Sequence, residues 1–170
     1  MLWRMLAAML TRMRALYWHV VYLGLRSRYE VDPTFRFNGA GVQLYGDGRI
    51  VLGPGSYIGE YSSIQAARDH QVRIGRVCRI SHNVRVYTET ADADTDFRAS
   101  KAQPESARAD VSIGDGAWIG ANVFIGPGIS IGANAVVGAN SVVTHNIPEG
   151  EIWGGVPARR IRSKRPSQLA

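Results

Sequence analysis

The chain has 170 residues, 45% of them apolar and 20% charged, which bounds it to one soluble globular domain with a buried core and room for an appendage. Its single cysteine, Cys78, excludes an internal disulfide framework and suits a reducing cytosol. The net charge of +6 comes from eighteen Arg and two Lys, nine of the arginines lying in the first 28 and last 12 residues, and by itself does not choose among nucleic acid, an anionic membrane and a phosphorylated cofactor; with no aromatic-interleaved basic stripe, a nucleic-acid partner is not expected.

Residues 1–28 read as a separate helix. Leu2, Leu6, Met9, Met13, Leu16 and Val20 recur at spacings of four and three, an apolar stripe with Arg4, Arg12 and Arg26 set on the other side. Such a helix either caps an open end of the fold, packs on a sister subunit or lies on an anionic membrane surface. Its longest uncharged stretch, Ala15 to Leu25, is too short to span a bilayer, and no small-x-small cleavage site follows it.

From residue 29 to 150 a different period takes over. Leu52, Ile58 and Ile64 stand six apart, as do Ile74, Ile80 and Val86. So do Ile113, Ile119, Ile125, Ile131, Val137 and Val143, mostly with glycine following. Neither a helix nor a simple alternating strand gives a period of six, which describes short strands joined by tight corners where Gly and Asn supply positive φ. One chain winding in this way stacks as a parallel β-helix, and twelve hexads at three per turn make four coils. Phe35-Arg36-Phe37 and Val42-Gln43-Leu44 begin a ragged partial coil below them. Four extra residues near Arg68-Asp69-His70 interrupt the winding, and the aperiodic segment from Asp92 to Asp110 reads as a protruding loop. Residues 151–170 form a final segment ending in a basic tail.

Register follows from the period. If the protruding loop adds no net phase, the hexads starting at Ile58, Ile80, Ile119 and Val137 form one column. Their third residues, Glu60, His82, Ala121 and Ala139, then share one corner, each about 4.8 Å from the next. Asn83 holds the same turn position as Asn122, Asn134, Asn140 and Asn146 and is read as structural. Cys78 falls at the hexad position of Ala117, Val123 and Ala135, as a small core residue.

Three stretches carry a resemblance: Ala117-Trp118-Ile119-Gly120, the string from Val137 to Thr144, and Gly154-Gly155-Val156-Pro157-Ala158-Arg159. They are similar to the hexapeptide-repeat acyltransferases, in particular the galactoside, maltose and polysaccharide O-acetyltransferases, over roughly residues 40–162. The resemblance implies a left-handed parallel β-helix working as a homotrimer, with acetyl-CoA as acyl donor in a groove between subunits. By the same resemblance Trp118, Gly120, Ala121, Gly138, Ala139, Thr144 and His145 line that groove, and Arg159, Arg160 and Arg162 meet the cofactor phosphates. Arginine's fixed fork of donors suits phosphate oxygens.

Acyl transfer to a hydroxyl needs a base, because an alcohol is a poor nucleophile until its proton is removed. The galactoside and maltose enzymes carry theirs past the hexad, in a Thr-x-His-Pro-like string. Here the matching stretch, Tyr87 to Asp92, holds no histidine. Ile80-Ser81-His82-Asn83-Val84 instead resembles the catalytic-histidine hexad of the lipid A acyltransferases and of certain sugar N-acetyltransferases, so His82 is the candidate base and Glu60 its orienting carboxylate. Asp92 and Asp94 are candidate acceptor contacts. With Asp96 they have the spacing of a calcium loop, but Phe97 replaces the glycine that loop needs, and no metal is expected. The expected activity is O-acetylation of a sugar hydroxyl in surface polysaccharide or lipopolysaccharide synthesis, in the cytoplasm or at the inner face of the membrane. An amino-sugar N-acetyltransferase and a β-helix scaffold without catalysis are the rivals. A zinc hydratase of the same fold ranks last, because no His-x₄-His spacing is present.

Overall fold

Each hexad aliphatic residue points inward from a strand only two to four residues long, and a glycine or asparagine turns the chain at the corner that follows. A computed structural model, describing residues 1–96, 98 and 106–165, shows these strands stacked into three parallel faces around one bore. The first face holds β1 (Glu30–Val31), β4 (Arg49–Leu52), β7 (Gln71–Ile74), β12 (Val111–Ile113) and β15 (Ser130–Ile131). The second holds β2 (Arg36–Asn38), β5 (Tyr57–Gly59), β8 (Arg79–Ile80), β13 (Trp118–Ile119), β16 (Val136–Val137) and β18 (Glu151–Gly155), with β19 (Ala158–Ser163) folded back antiparallel on β18. On the third lie β3 (Gln43–Tyr45), β6 (Ser63–Gln65), β9 (Arg85–Tyr87), β14 (Phe124–Ile125) and β17 (Val142–Val143). This is the parallel β-helix that the period of six predicts.

The vertical register is also the predicted one. Ile58, Ile80, Ile119 and Val137 stack directly, as do Ile64, Val86, Ile125 and Val143. All are buried. Beneath them the expected ragged coil is complete: Val31 lies under Leu52, Phe37 under Ile58 and Leu44 under Ile64, because β1 supplies the missing side. Cys78 is fully buried, and burial pushes its thiol pKa up, as befits a core residue. At the corners Asn83, Asn122, Asn134 and Asn140 adopt φ between +54° and +59°, a region asparagine tolerates better than other side chains. Asn83, Asn122 and Asn140 also form an amide ladder, each Nδ2 donating to the next Oδ1 at 2.8 and 2.9 Å. Asn146 departs from that pattern, and its Oδ1 accepts from the Ser130 N–H instead.

Both interruptions leave the winding in phase. The short insertion turns at Asp69, with φ +66°, and His70 meets Asp110 at 3.1 Å where the long excursion returns. That excursion opens and closes as an antiparallel hairpin of β10 (Glu89–Ala91) and β11 (Ser106–Arg108). An ion pair between Arg108 and Glu89 joins its strands. Phe97, residues 99–105 and the tail 166–170 lie outside the described residues.

The helix α1 (Leu2–Arg28) caps the first coil with its C-terminal turns only. Trp18 stacks on Tyr22 (centroids 5.7 Å apart), and Tyr22 stacks on Phe37 (4.5 Å). The Tyr22 hydroxyl donates to Gly39 O at 2.7 Å and accepts from Val42 N–H at 3.3 Å. Arg26, placed by the sequence among the outward arginines, reaches inward to the carbonyls of Asp32 and Phe35. The expected apolar stripe does not face the β-helix at all: Leu6, Met9, Met13, Leu16 and Val20 are exposed. The helix has two apolar sectors, and the aromatic one is chosen because Phe37 offers it a ring to stack on. No helix among the described residues is long and apolar enough to cross a membrane.

Candidate active site

The second face ends at a corner where the register brings one residue from every coil into line. From the bottom the column reads Gly39, Glu60, His82, Ala121, Ala139 and Gly155, by the pairings of β2, β5, β8, β13, β16 and β18. Backbone hydrogen bonds lock the stack: Asn83 N–H donates to Glu60 O at 2.8 Å, Asn122 N–H to His82 O at 3.0 Å and Asn140 N–H to Ala121 O at 2.8 Å. The sequence-derived column of Glu60, His82, Ala121 and Ala139 is therefore a physical feature of the fold.

His82 projects from this column with its ring exposed. Above it Ala121, Ala139 and Gly155 leave a shallow track that climbs about 14 Å at three strand spacings. The N–H groups of His82, Ala121 and Ala139 have no acceptor among the described residues. Gly120 backs it closely: a Cβ there would sit 2.5 Å from Ala139 N. At the top, Ser141 donates to Gly138 O at 2.7 Å and accepts from Gly155 N–H at 3.0 Å, fixing the β18–β19 hairpin over the corner. Arg159 pairs in register with Gly154 beside that summit.

Glu60 lies one coil below His82 but does not touch it. Among the described residues its carboxylate takes one hydrogen bond, from Ala40 N–H at 3.4 Å, and none from the imidazole. Its side chain is turned down over Gly39, where any Cβ would collide with it. Glu60 also reaches the helix: burial pushes the Tyr22 phenol above its usual pKa, the Val42 N–H draws it partly back, and the charge of Glu60 adds to the rise. The phenol thus stays neutral and keeps its donor role.

Other expected site residues divide into two places. Trp118 and Arg162 share an open groove of about 690 Å³ on the second face, floored by Val136 and Ile152, within the usual range for small-molecule sites. Lys164 and Arg165 complete its basic rim, and Lys164 is held by Asn134 Oδ1. The sequence reading missed these two cations, and a basic run directly after Arg162 was the available signal. Arg160 is neutralised by Glu151 at 2.6 Å, which leaves Arg159 and Arg162 as the outward arginines of β19. Thr144 and His145 lie elsewhere, at the corner beyond β17, hydrogen-bonded to each other at 2.9 Å and separated from the His82 column by the whole third face.

Asp92 and Asp94 are likewise not at the His82 corner of the same chain. They follow β10, past the far end of the third face, and Asp92 Oδ1 is engaged by Asp94 N–H at 2.9 Å. A second feature the sequence did not reveal is a cleft of about 320 Å³ at the foot of the column, between Arg14, Trp18 and His19 of α1 and Glu60. Helix periodicity alone does not tell which residues of α1 turn toward a neighbour.

Comparison with known proteins agrees with the fold. The family model for bacterial transferase hexapeptide (six repeats) matches residues 110–145. A maltose O-acetyltransferase from Clostridium difficile 630 is 30% identical, with 78% of this chain and 72% of that chain covered and a TM-score of 0.62. The chain belongs to the hexapeptide-repeat acyltransferase family. This hexapeptide transferase is also similar to a galactoside acetyltransferase in complex with coenzyme A, at 31% identity over 77% of this chain and 66% of that chain, TM-score 0.62. An N-acyltransferase from Bacillus cereus, in complex with a dTDP-linked amino sugar and coenzyme A, has 19% identity over 85% of this chain and 90% of that chain with a TM-score of 0.68, a likeness of fold alone. No curated protein matches the hexapeptide transferase.

Proposed function

We propose that this hexapeptide transferase moves an acetyl group from acetyl-CoA to the hydroxyl of a sugar. The observation that carries the reading is the column itself: an exposed imidazole at the foot of a track of small residues, leading to arginines about three coils above. A thin pantetheine arm fits such a track, with its thioester at His82 and its phosphates toward Arg159, Arg162 and the basic groove beside Trp118. Coenzyme A bound to the related galactoside acetyltransferase supports this donor. Gly120, Gly138, Ala121 and Ala139 serve it by lacking bulk.

In the proposed reaction an imidazole nitrogen of His82 takes the proton of the acceptor hydroxyl as the oxygen attacks the thioester carbonyl. The N–H of Ala121, one coil above and without an acceptor among the described residues, donates to the oxyanion that forms. The C–S bond then breaks, and the imidazolium returns its proton to the departing thiolate. Glu60 acts as a positioning residue for His82, through rotation of its side chain toward the ring one strand spacing above. Asp92 and Asp94 contact the acceptor from a neighbouring copy, since a full face separates them from His82 in their own chain. A threefold assembly meets that need, with the loop of one subunit facing the column of the next. The setting we assign is surface polysaccharide or lipopolysaccharide synthesis at the cytoplasmic face of a membrane, with Thr144 and His145 of a neighbouring copy bordering the cofactor groove.

The test is His82→Ala assayed with acetyl-CoA and a panel of sugars, amino sugars among them. We expect kcat to fall by about 10²–10⁴-fold while cofactor affinity and oligomer size hold, the range a well-placed base supplies. An unchanged kcat removes His82 from the mechanism, and failure of acetyl-CoA to bind in calorimetry returns the protein to the scaffold class.

A further inference from the structure

The helix α1 carries more apolar surface than its docking uses. Eleven large apolar side chains between Leu2 and Leu23 are exposed, among them Trp3 at 79% and Leu16 at 64%. At 100° per residue they fill a sector of about 160°, centred opposite Tyr22, and run about 32 Å along the helix. Monomeric proteins rarely expose contiguous apolar patches of more than a few hundred Å² without a partner. Within that sector no charged residue falls between Leu2 and Leu23. Arg12 and Arg14 stand at its two borders, and no acidic residue occurs anywhere in α1.

We infer that α1 docks in the plane of an anionic lipid bilayer, with this stripe sunk among the acyl chains and the bordering arginines at headgroup level. The inference deepens the membrane-side setting of the proposed function and rests on it for location, not for chemistry. The charge pattern selects the occupant. Arginine stems lie along the buried edge while their guanidiniums meet lipid phosphates, and Trp3 and Tyr17 suit the interfacial layer. A second copy of the helix would bring the same cationic borders against these, with no carboxylate to answer them. No helix among the described residues, α1 included, is both long and apolar enough to cross a bilayer. The opposite face of α1 then holds the cleft beside Glu60 close to the lipid surface, where the head of a lipid-linked glycan would arrive.

The experiment uses the full chain and sedimentation with vesicles of equimolar phosphatidylcholine and phosphatidylglycerol, with phosphatidylcholine alone as control. Wild type should bind the anionic vesicles, weaken as salt rises and bind the neutral ones poorly. Met9→Glu with Leu16→Glu should reduce binding by about tenfold or more, at unchanged oligomer size and thermal midpoint. Should that pair fail to fold, Arg12→Glu with Arg14→Glu keeps the apolar stripe and should abolish the preference for anionic vesicles. Wild type that ignores anionic vesicles overturns the inference. So does a Met9/Leu16 pair that breaks the oligomer, which would assign the stripe to a subunit contact. His82→Ala should bind vesicles like wild type, so docking and chemistry fail separately.

Discussion

The upper coils of this hexapeptide transferase and its helical cap solve the same problem by opposite means. From Val111 to Ile147 every strand rests on another at the same register, and each hexad's leading position repeats an aliphatic side chain seen one coil below. Stability there is a sum of similar neighbour terms, as in other solenoids. The cap has no such repetition. A few contacts, Trp18 on Tyr22, Tyr22 on Phe37 and Arg26 on the carbonyls of Asp32 and Phe35, close the open end of the bore. Uncovered, that end would present strand edges to other chains.

The largest effect that would test this contrast is in the repeat. Ile119 is fully buried between Ile80 and Val137, so its truncation leaves a cavity that neighbouring coils cannot fill by sliding. Ile119→Ala should cost about 2–5 kcal/mol in denaturant unfolding. It should also disturb the His82 column, since Ala121 follows two residues later. A loss below 1 kcal/mol would mean that the coils repack independently.

The period of six made the twelve core positions, the four coils and the Glu60–His82–Ala121–Ala139 corner legible, because each residue meets the same surroundings every third hexad. What stayed hidden depends on single contacts. Which sector of α1 docks is decided by Phe37, a residue in another element. The downward turn of Glu60 is set by Ala40 N–H, and the place of Lys164 beside Trp118 by a hairpin that reverses after Gly155. The resemblance grouped Thr144 and His145 with the cofactor residues of a groove between subunits, and the winding puts them at the corner beyond the third face of their own chain. A linear motif does not show which side of a three-sided coil its members occupy.

A smaller effect is expected at the cap. Tyr22→Phe keeps the stacked ring but removes the hydroxyl that bridges Gly39 O and Val42 N–H. Leaving those backbone groups without partners should cost about 1–3 kcal/mol. Amide exchange should rise around Gly39–Val42 while the upper coils keep their protection, as expected if the cap opens separately from the repeat. Equal loosening of all coils would show instead that the cap and the repeat unfold as one unit.

The smallest effect is the most informative about α1. Leu16 lies within the helix, one turn before the docking residues, yet it is 64% exposed and turned away from Phe37. Leu16→Gln retains good helix propensity and removes only surface the fold does not bury. Unfolding free energy should therefore stay within about 0.5 kcal/mol of wild type. The same substitution should measurably weaken binding to anionic vesicles. Core residues of the β-helix behave in the reverse way, with stability lost whether or not lipid is present. A stability loss of 2 kcal/mol or more at Leu16 would place this stripe inside an interface of the folded assembly, and the docking face of α1 would then extend around the helix instead of ending at Trp18 and Tyr22.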